Sequence, residues 1–323
     1  MISRRRIVLA LGSAALSIPL ARAQQQSKIR RIGVLTLAPD APVNEALRQG
    51  LRELGWIEGQ NIIFEYRGAD KGRSLPEAAA ELVGLKVDVI FAGSSTYVEP
   101  AKQATNTIPI VFAAHNDPVG IGHVASLSRP GGNITGLSML QTELVAKELE
   151  LLKSILPKVT KIGVVWNPTT PSHPPAVKSV EAAAQKLAVK IRLLPARTVE
   201  EFDEALAIMR REQVSAFLVI SSPLSYSQRA RLADIALKQR LPGMWGSREN
   251  VEAGGLISYG ADLNDLFRRA AKYIDKILKG ANPGDLPVEQ ASIYELAINL
   301  KTAKALEIKV PQSVLLQATK VIE

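Results

Sequence analysis

Two short apolar runs, Val87-Asp-Val-Ile-Phe-Ala92 and Ile108-Pro-Ile-Val-Phe-Ala113, decide the fold class. Continuous apolar runs of this length are typical of strands that are covered on both faces, as in parallel sheets. The chain between them is long enough for a helix that connects one parallel strand to the next, and we expect that helix to begin near Val98. The two runs therefore predict a parallel strand–helix–strand unit.

The same alternation of strand and helix signals extends in both directions from this unit. Apolar residues recur at helical spacing between the strand-like runs, and the pattern restarts after a turn, Arg129-Pro-Gly-Gly132. Residues 296–306 are predicted to form a final helix. Predicted strands cover residues 32–37, 61–66, 87–92 and 108–113 before the turn, and 162–166, 191–194, 216–220 and 254–259 after it. This order predicts an α/β protein with two doubly wound parallel-sheet lobes.

The composition excludes several classes of protein. The chain has 323 residues, which is enough for two lobes, and it has no cysteine, which excludes disulfides, thiolate catalysis and a lipid anchor on a terminal cysteine. Four charges of its net charge of +9 come from arginines in the first 23 residues, its lysines are scattered, and only 5% of its residues are aromatic. Nucleic-acid binding, which needs a basic stripe with interleaved aromatic residues, is not expected.

The N-terminus has the features of an export signal. A basic segment with Arg4, Arg5 and Arg6 precedes an apolar stretch that is too short to cross a bilayer, and Ala21-Arg-Ala23 resembles a signal peptidase site. We therefore predict that residues 1–23 are a signal peptide and that the mature protein is periplasmic and not anchored in a membrane. The arginines fit a twin-arginine signal, and the general secretory route is the alternative.

In open α/β sheets the ligand lies beyond the carboxyl ends of the strands, so residues that directly follow strands are candidate ligand-binding residues. Ser94, Ser95 and Thr96 open the helix that follows the third strand. Backbone N–H groups at a helix start favour a carboxylate, so an anion site and simple helix capping both remain open for these residues. After the fourth strand, Asp117 is a candidate for a ligand ammonium group, with a turn as its alternative role.

Aromatic residues near strand ends could stack on a planar ligand. The candidates are Trp166, Trp245 and Tyr259, for which a position in the core or near the hinge is the alternative. Signatures of catalysis are missing by contrast, because the three histidines have no metal-ligand spacing and no nucleophile motif is present. We expect neither an enzyme nor a cofactor or metal site.

Four stretches carry a resemblance to a known family: Leu51-Arg-Glu-Leu-Gly-Trp-Ile-Glu-Gly-Gln-Asn61, Ser126-Leu-Ser-Arg-Pro-Gly-Gly-Asn-Ile-Thr-Gly136, Leu286-Pro-Val-Glu-Gln290 and Ile298-Asn-Leu-Lys-Thr-Ala-Lys-Ala-Leu306. With them the chain resembles the ABC transporter substrate-binding proteins of the tryptophan/tyrosine type, which have the type I periplasmic-binding fold. The resemblance implies that a small molecule, with amino acids and aromatic compounds as candidates, is captured by hinge closure and delivered to a membrane permease.

The resemblance also implies a domain division and a binding site. Three strands would join the lobes, with residues 27–137 and 260–290 in the N-terminal lobe and residues 138–259 and 291–323 in the C-terminal lobe. The implied ligand-binding residues are Ser94, Ser95, Thr96, Asn116, Asp117, Asn167, Thr169, Ser222, Tyr259 and Asp262. The alternatives are a ligand-binding sensor subunit of a membrane receptor and, with less support, a secreted enzyme.

Overall fold

The computed structural model describes residues 29–69 and 72–323, so the predicted signal peptide lies outside the described residues. The strands, numbered in chain order, are β1 (Arg30–Leu35), β2 (Ile62–Arg67), β3 (Val89–Ala92), β4 (Ile110–His115), β5 (Ile134–Ser138), β6 (Lys161–Trp166), β7 (Lys190–Pro195), β8 (Ala216–Val219), β9 (Gly243–Trp245), β10 (Ile257–Ala261), β11 (Glu289–Gln290), β12 (Tyr294–Asn299) and β13 (Lys320–Ile322).

The helices alternate with these strands along most of the chain. They are α1 (Pro42–Glu53), α2 (Leu75–Gly84), α3 (Ser95–Ala104), α4 (Gln141–Ile155), α5 (His173–Lys186), α6 (Val199–Arg211), α7 (Pro223–Ser227), α8 (Arg229–Lys238), α9 (Arg248–Glu252), α10 (Leu263–Leu278), α11 (Leu300–Ala305) and α12 (Gln312–Leu315), with one 3₁₀ turn at Pro283–Asp285.

The strands form two separate sheets, one in each lobe. The first has the order β11-β5-β4-β3-β1-β2 and is parallel throughout, and the second has the order β13-β12-β10-β9-β8-β6-β7. Apolar side chains from both faces of each sheet pack against flanking helices, which is the doubly wound arrangement. The predicted fold class is confirmed.

The chain passes from one sheet to the other three times. It leaves the first lobe between β5 and α4, returns between β10 and α10, and leaves again between β11 and β12. Helix α10 belongs to the first lobe because its apolar face, including Leu266 and Ile274, packs with Leu47 and Leu51 of α1. The boundaries given above for the two lobes stay a prediction.

The predicted final helix over residues 296–306 is wrong in its first half. Residues Tyr294–Asn299 form β12, which runs antiparallel to β10 with Leu296 opposite Tyr259. Leu296 and Ile298 point into the core of the second lobe, a spacing of two that a short apolar run does not distinguish from part of a helix. The helix begins only after Asn299, whose side chain accepts a hydrogen bond from Thr302 N at 3.0 Å.

One glycine is needed where β4 and β5 pair. Gly136 in β5 has a φ of +148°, and a Cβ at this position would overlap the backbone of Phe112 in β4. The register of the two strands shifts just beyond Phe112, before His115 pairs with Ser138. Gly136 therefore lets the last strand before the first crossing approach its neighbour closely.

Candidate functional site

A cleft lies between the carboxyl ends of the two sheets. The first lobe lines it with the segments that follow β1, β3 and β4, among them Thr36, Ser94 and Asn116. The second lobe contributes Thr170 and the loop from Ser221 to the start of α7. This is the position where parallel α/β sheets bind ligands, because the strand ends leave a crevice there.

Direct hydrogen bonds join the two lobes across the cleft. Ser172 Oγ accepts a bond of 2.9 Å from Asn116 Nδ2 and lies 3.1 Å from Ser95 Oγ. A third contact of 3.4 Å joins the hydroxyls of Thr96 and Thr170. The structure is thus a closed arrangement in which both lobes contact one another beside the cleft.

The start of α3 faces the cleft without a side-chain cap. Ser94 occupies the N-cap position, yet its hydroxyl caps no N–H group, and its Oγ is buried with no hydrogen-bond partner in the described part of the chain. Ser222, at the same position of α7, accepts a bond from Ser225 N at 3.3 Å. The Ser94 side chain therefore does not fulfil the capping role that the sequence left open for it, whereas Ser222 caps its own helix.

Five of the predicted ligand-binding residues line the cleft, and they come from both lobes. These are Ser94, Ser95, Thr96, Asn116 and Ser222. The other five lie beside the cleft or at the crossings and do not belong to the described lining.

Three of those five form local turns. Asp117 Oδ1 accepts a hydrogen bond from Gly120 N at 2.8 Å, so its carboxylate stabilises the turn after β4. Asn167 Oδ1 accepts bonds from the backbone N–H and the hydroxyl of Thr169, at 2.9 and 2.8 Å. These side chains bond to their own loops and not to one another across the cleft.

The remaining two lie at the second crossing. Tyr259 stacks on Tyr294, with ring centroids 6.2 Å apart and an interplanar angle of 19°. Asp262 caps α10, since its Oδ1 accepts bonds from Asn264 N and Asp265 N at 2.9 and 3.1 Å. Both side chains therefore stabilise the segments that join the lobes.

The aromatic residues of the cleft differ from those expected from sequence. Trp245 is only 1% exposed and packs edge-on against Phe217 in the second lobe, and neither Trp166 nor Tyr259 lines the cleft among the described residues. Four other aromatic residues line it instead: Phe91, Tyr97, Tyr226 and Phe267.

The Tyr97 hydroxyl is neutral at physiological pH, because burial raises the pKa of Tyr97 to about 12. The hydroxyl oxygen accepts a hydrogen bond from Leu37 N at 3.2 Å.

A buried histidine fixes the loops of the second lobe. His173 Nδ1 accepts a hydrogen bond from Asn167 N at 2.9 Å, so Nε2 carries the proton and donates to Ser221 O at 3.0 Å. Burial lowers the pKa of His173 to about 4, which keeps the ring neutral and this tautomer in place. The histidine thereby ties together the ends of β6 and β8.

The first lobe also contains a hydrogen-bonded network of buried histidines. His115 Nδ1 accepts from Asp117 N at 3.1 Å, and its Nε2 lies 2.7 Å from His123 Nδ1. His123 Nε2 in turn lies 2.6 Å from a carboxylate oxygen of Glu99 on α3. Burial lowers the pKa of both histidines, so a chain of neutral rings orients the loop that carries Asn116. From the sequence these histidines were expected neither to bind a metal nor to serve catalysis, and this structural role was not predicted.

Within residues 29–69 and 72–323, His, Asp and Glu side chains form no group of three that could hold a metal ion. In the same residues no helix combines the length and the apolar character that a membrane span requires.

Two α/β lobes closed over a cleft are the arrangement of proteins that bind a small molecule between their lobes. The chain belongs to the ABC transporter substrate binding protein family, whose sequence profile matches residues 40–322. It is 29% identical over 286 residues to a protein named tyrosine-binding protein from Clostridioides difficile strain R20291, a match that covers 87% of this chain and 82% of that relative.

Two solved structures match over 91% of this chain and 99% of their own. One is an ABC domain from Streptococcus pneumoniae in complex with L-Trp, with 28% identity and a TM-score of 0.82. The other is a ligand-free, open substrate-binding protein with adhesive properties from Clostridium difficile, with 26% identity and a TM-score of 0.61. The chain is more similar in overall arrangement to the L-Trp complex, in keeping with lobes that hydrogen-bond across the cleft.

We predict that Ser172→Ala shifts the ligand-free protein toward an open form. The substitution leaves Asn116 Nδ2 and Ser95 Oγ without their shared partner in the closed form only, because both can bind water once the lobes separate. We expect the closed form to lose about 1.4 kcal/mol of stability relative to the open form. The closed-to-open ratio then falls about tenfold. Because the chain has no cysteine, spin labels on Asn106→Cys and Lys178→Cys report the distance between the lobes.

The matched control for this variant is Ser154→Ala. Ser154 is exposed on α4, and among the described residues its hydroxyl bonds to Glu150 O in the same helix, at 2.9 Å, and to no group of the other lobe. In the Ser154→Ala variant, the distribution of distances between the two spin labels should equal that of the parent protein. An unchanged distribution in the Ser172 variant would show that these bonds do not hold the lobes together.

Proposed function

We propose that this protein is an extracytoplasmic receptor that captures a small solute between its lobes and delivers it to the permease of an ABC importer. The observation that carries the proposal is the cleft, which both lobes line and which their hydrogen bonds close. Binding to one lobe followed by closure of the other would expel water and bury the solute. No covalent step is needed, and none is proposed.

Three further observations support this role. The family is that of ABC transporter substrate-binding proteins, and relatives are named for tyrosine or bound to L-Trp, solutes with an aromatic body. The basic and apolar N-terminal segment supports export to the periplasm.

The ligand-contacting residues we propose are the five predicted residues that line the cleft, together with Tyr97 and Phe267.

The first test is binding. Mass spectrometry of solute released from the purified mature protein identifies the ligand, and a thermal-shift panel of amino acids, aromatic acids and other small solutes screens for it independently. At a ligand concentration 100-fold above Kd, the free energy of unfolding should rise by about 2.7 kcal/mol. A broad panel without any shift, with no released solute, would contradict the proposal.

The second test separates import from sensing. Deleting the gene should abolish uptake of the identified solute, and the full-length chain supplied in trans should restore it. If the solute binds but uptake is unchanged while a signalling response is lost, the protein is a sensor subunit. Chemical conversion of the bound solute would indicate an enzyme instead.

A further inference from the structure

Asn44 lines the cleft but belongs neither to the predicted ligand-binding residues nor to the ligand contacts proposed above. It lies in the first turn of α1, and Thr36 and Ala41 line the cleft with it. The residue is only 4% exposed, so its amide is almost completely buried at the edge of the cleft. A buried amide needs partners for its N–H groups and for its oxygen, and the protein supplies them only in part.

The protein uses both hydrogen-bond donors of this amide. Asn44 Nδ2 donates to Ala38 O and to Pro39 O, each at 2.9 Å, in the loop that follows β1. An amide nitrogen carries two hydrogens, so neither is left for a solute. The two carbonyl groups also fix the orientation of the amide, because they cannot donate and a flipped amide would place Oδ1 against both of their oxygens.

The oxygen of the same amide is free. Asn44 Oδ1 accepts no hydrogen bond from any residue that the structure describes. Unlike Ser94 Oγ, which is sealed inside the protein, Asn44 Oδ1 remains accessible to water. An amide oxygen has two lone pairs, and both are available here. Asn44 therefore presents a hydrogen-bond acceptor of fixed orientation at the cleft.

The second lobe covers the start of α1 from the other side. Tyr226 of α7 lines the cleft and packs against the apolar core of the first lobe. Its hydroxyl lies beside the backbone of Val43, the residue that precedes Asn44. Burial raises the pKa of this hydroxyl to about 12, so it adds no charge at physiological pH. A solute group at Asn44 Oδ1 would thus be held where the two lobes meet.

The surroundings of Asn44 determine which group fits there. Val34, Phe91 and Phe267 line the cleft and belong to the same apolar cluster as Val43. When a solute displaces the water from this region, Oδ1 needs a new donor, because a buried acceptor without a partner destabilises the complex. A carbonyl, ether or carboxylate oxygen of the solute supplies no hydrogen and would repel Oδ1. An N–H or O–H group replaces the lost water.

We propose that Asn44 determines specificity by accepting a hydrogen bond from the solute, an inference that rests on the proposed function. The solute carries an N–H or O–H group beside an apolar or aromatic body that packs on Phe91 and Phe267. An amino group and a hydroxyl group share this chemistry, and the test distinguishes them. The rule that places ligands after strand ends does not find this residue, because Asn44 lies within α1.

The test compares four probes whose binding is measured by calorimetry. At physiological pH 3-phenylpropionate has no N–H or O–H group. Relative to it, 3-phenyllactate has a hydroxyl group and L-phenylalanine an amino group on the α-carbon, and L-tyrosine has a further hydroxyl group on the ring. We expect at least one of these added donors to tighten binding at least about tenfold. Equal affinities for all four probes, or tightest binding of 3-phenylpropionate, would overturn the proposal.

Asn44→Ala tests whether Asn44 is the acceptor. The variant should bind the preferred donor probe at least about tenfold more weakly, and 3-phenylpropionate within about threefold of the parent protein. The ratio of the two affinities is compared because a looser loop at Ala38 and Pro39 affects both probes alike. A ratio equal to that of the parent protein would overturn the proposal. If the variant does not fold, a crystal structure of the parent protein with the donor probe decides, since Asn44 Oδ1 should lie within about 3.2 Å of the donor atom.

Asn61→Ala is the matched control. Asn61 also holds a loop, because its Nδ2 donates to Gly55 O at 2.8 Å and its Oδ1 accepts from Ile57 N at 2.7 Å. This loop does not belong to the described lining of the cleft. The control variant should therefore keep the affinity ratio of the parent protein. A loss of the ratio in both variants would show that loosened loops, and not the acceptor, change the preference.

Solute released from the purified protein takes the place of the probes if none of the four binds. A released solute without an N–H or O–H group overturns the proposal, and one with such a group should bind at least about tenfold more weakly to Asn44→Ala. If nothing is released and nothing in the broad panel binds, the proposed function fails and the inference fails with it. If a solute is bound and imported but Asn44→Ala leaves its affinity unchanged, only the inference fails.

Discussion

Replacing Gly136 by alanine is expected to lower the free energy of unfolding by at least about 3 kcal/mol. The backbone of Gly136 has a φ of +148°, which an L side chain rarely adopts. The added Cβ would also overlap the backbone of Phe112, so β4 and β5 would have to separate. Since β5 leads directly into the first crossing, the variant should lose binding as well as stability. Urea denaturation followed by circular dichroism measures the change.

Gly84→Ala is the matched control for this substitution. Gly84 is the last residue of α2, and a Cβ there would meet open space. We expect its stability to be equal to that of the parent protein or up to about 1 kcal/mol higher, because alanine favours the helix. A Gly136 variant as stable as this control would show that β4 and β5 tolerate a wider separation.

The second large effect is expected for Glu148→Gln, and it depends on pH. Glu148 is fully buried on α4, where Oε1 accepts a bond of 3.1 Å from Gln141 Nε2 and Oε2 has no partner in the described residues. Burial raises the pKa of this carboxyl from 4.5 to about 8. The folded protein therefore keeps Glu148 protonated at neutral pH, whereas the unfolded chain releases the proton above about pH 4.5.

The sign of the effect follows from these two values. Between pH 4.5 and about pH 8 the folded state binds one proton more than the unfolded state, so each rise in pH favours unfolding. This group alone lowers the free energy of unfolding by on the order of 4 kcal/mol across that range. Glutamine does not ionise, so the stability of the variant relative to the parent protein should increase from pH 5 to pH 8.

The measurement is the difference in unfolding free energy between the parent protein and the variant at several pH values. Taking the difference cancels the opposite contribution of the buried histidines, whose lowered pKa makes stability rise with pH. Glu150→Gln on the same helix is the control, because the side chain of Glu150 is 53% exposed. A difference that is constant from pH 5 to pH 8 would contradict the prediction.

The sequence predicted the buried strands β3 and β4 to within two residues of their observed ranges. Their apolar runs are short and rich in β-branched and aromatic residues, which favours strands over helices. Residues 296–299 are predicted as part of a helix because the short apolar run Leu296-Ala-Ile298 fits both the helical and the strand period. Only the pairing with β10, a contact between distant parts of the chain, makes them a strand.

The candidate site was predicted for those residues that directly follow strands. Ser94 and Asn116 lie in the cleft because strand ends converge there, a rule that needs no three-dimensional information. The aromatic lining was missed for a physical reason. Phe267 comes from α10, which returns to the first lobe after the chain has built most of the second, and local sequence carries no signal of that return.

The return of α10 and β11 to the first lobe sets the order in which the protein can be assembled during synthesis. A ribosome that has produced the first 260 residues has made every strand of the first sheet except β11, yet not the helix that covers α1. Neither sheet is complete until the chain from β11 onward has been synthesised. The nascent chain must therefore remain able to fold until its last tenth has emerged. A truncation before α10 therefore removes α10 and β11 from the first lobe and β12 and β13 from the second lobe at once.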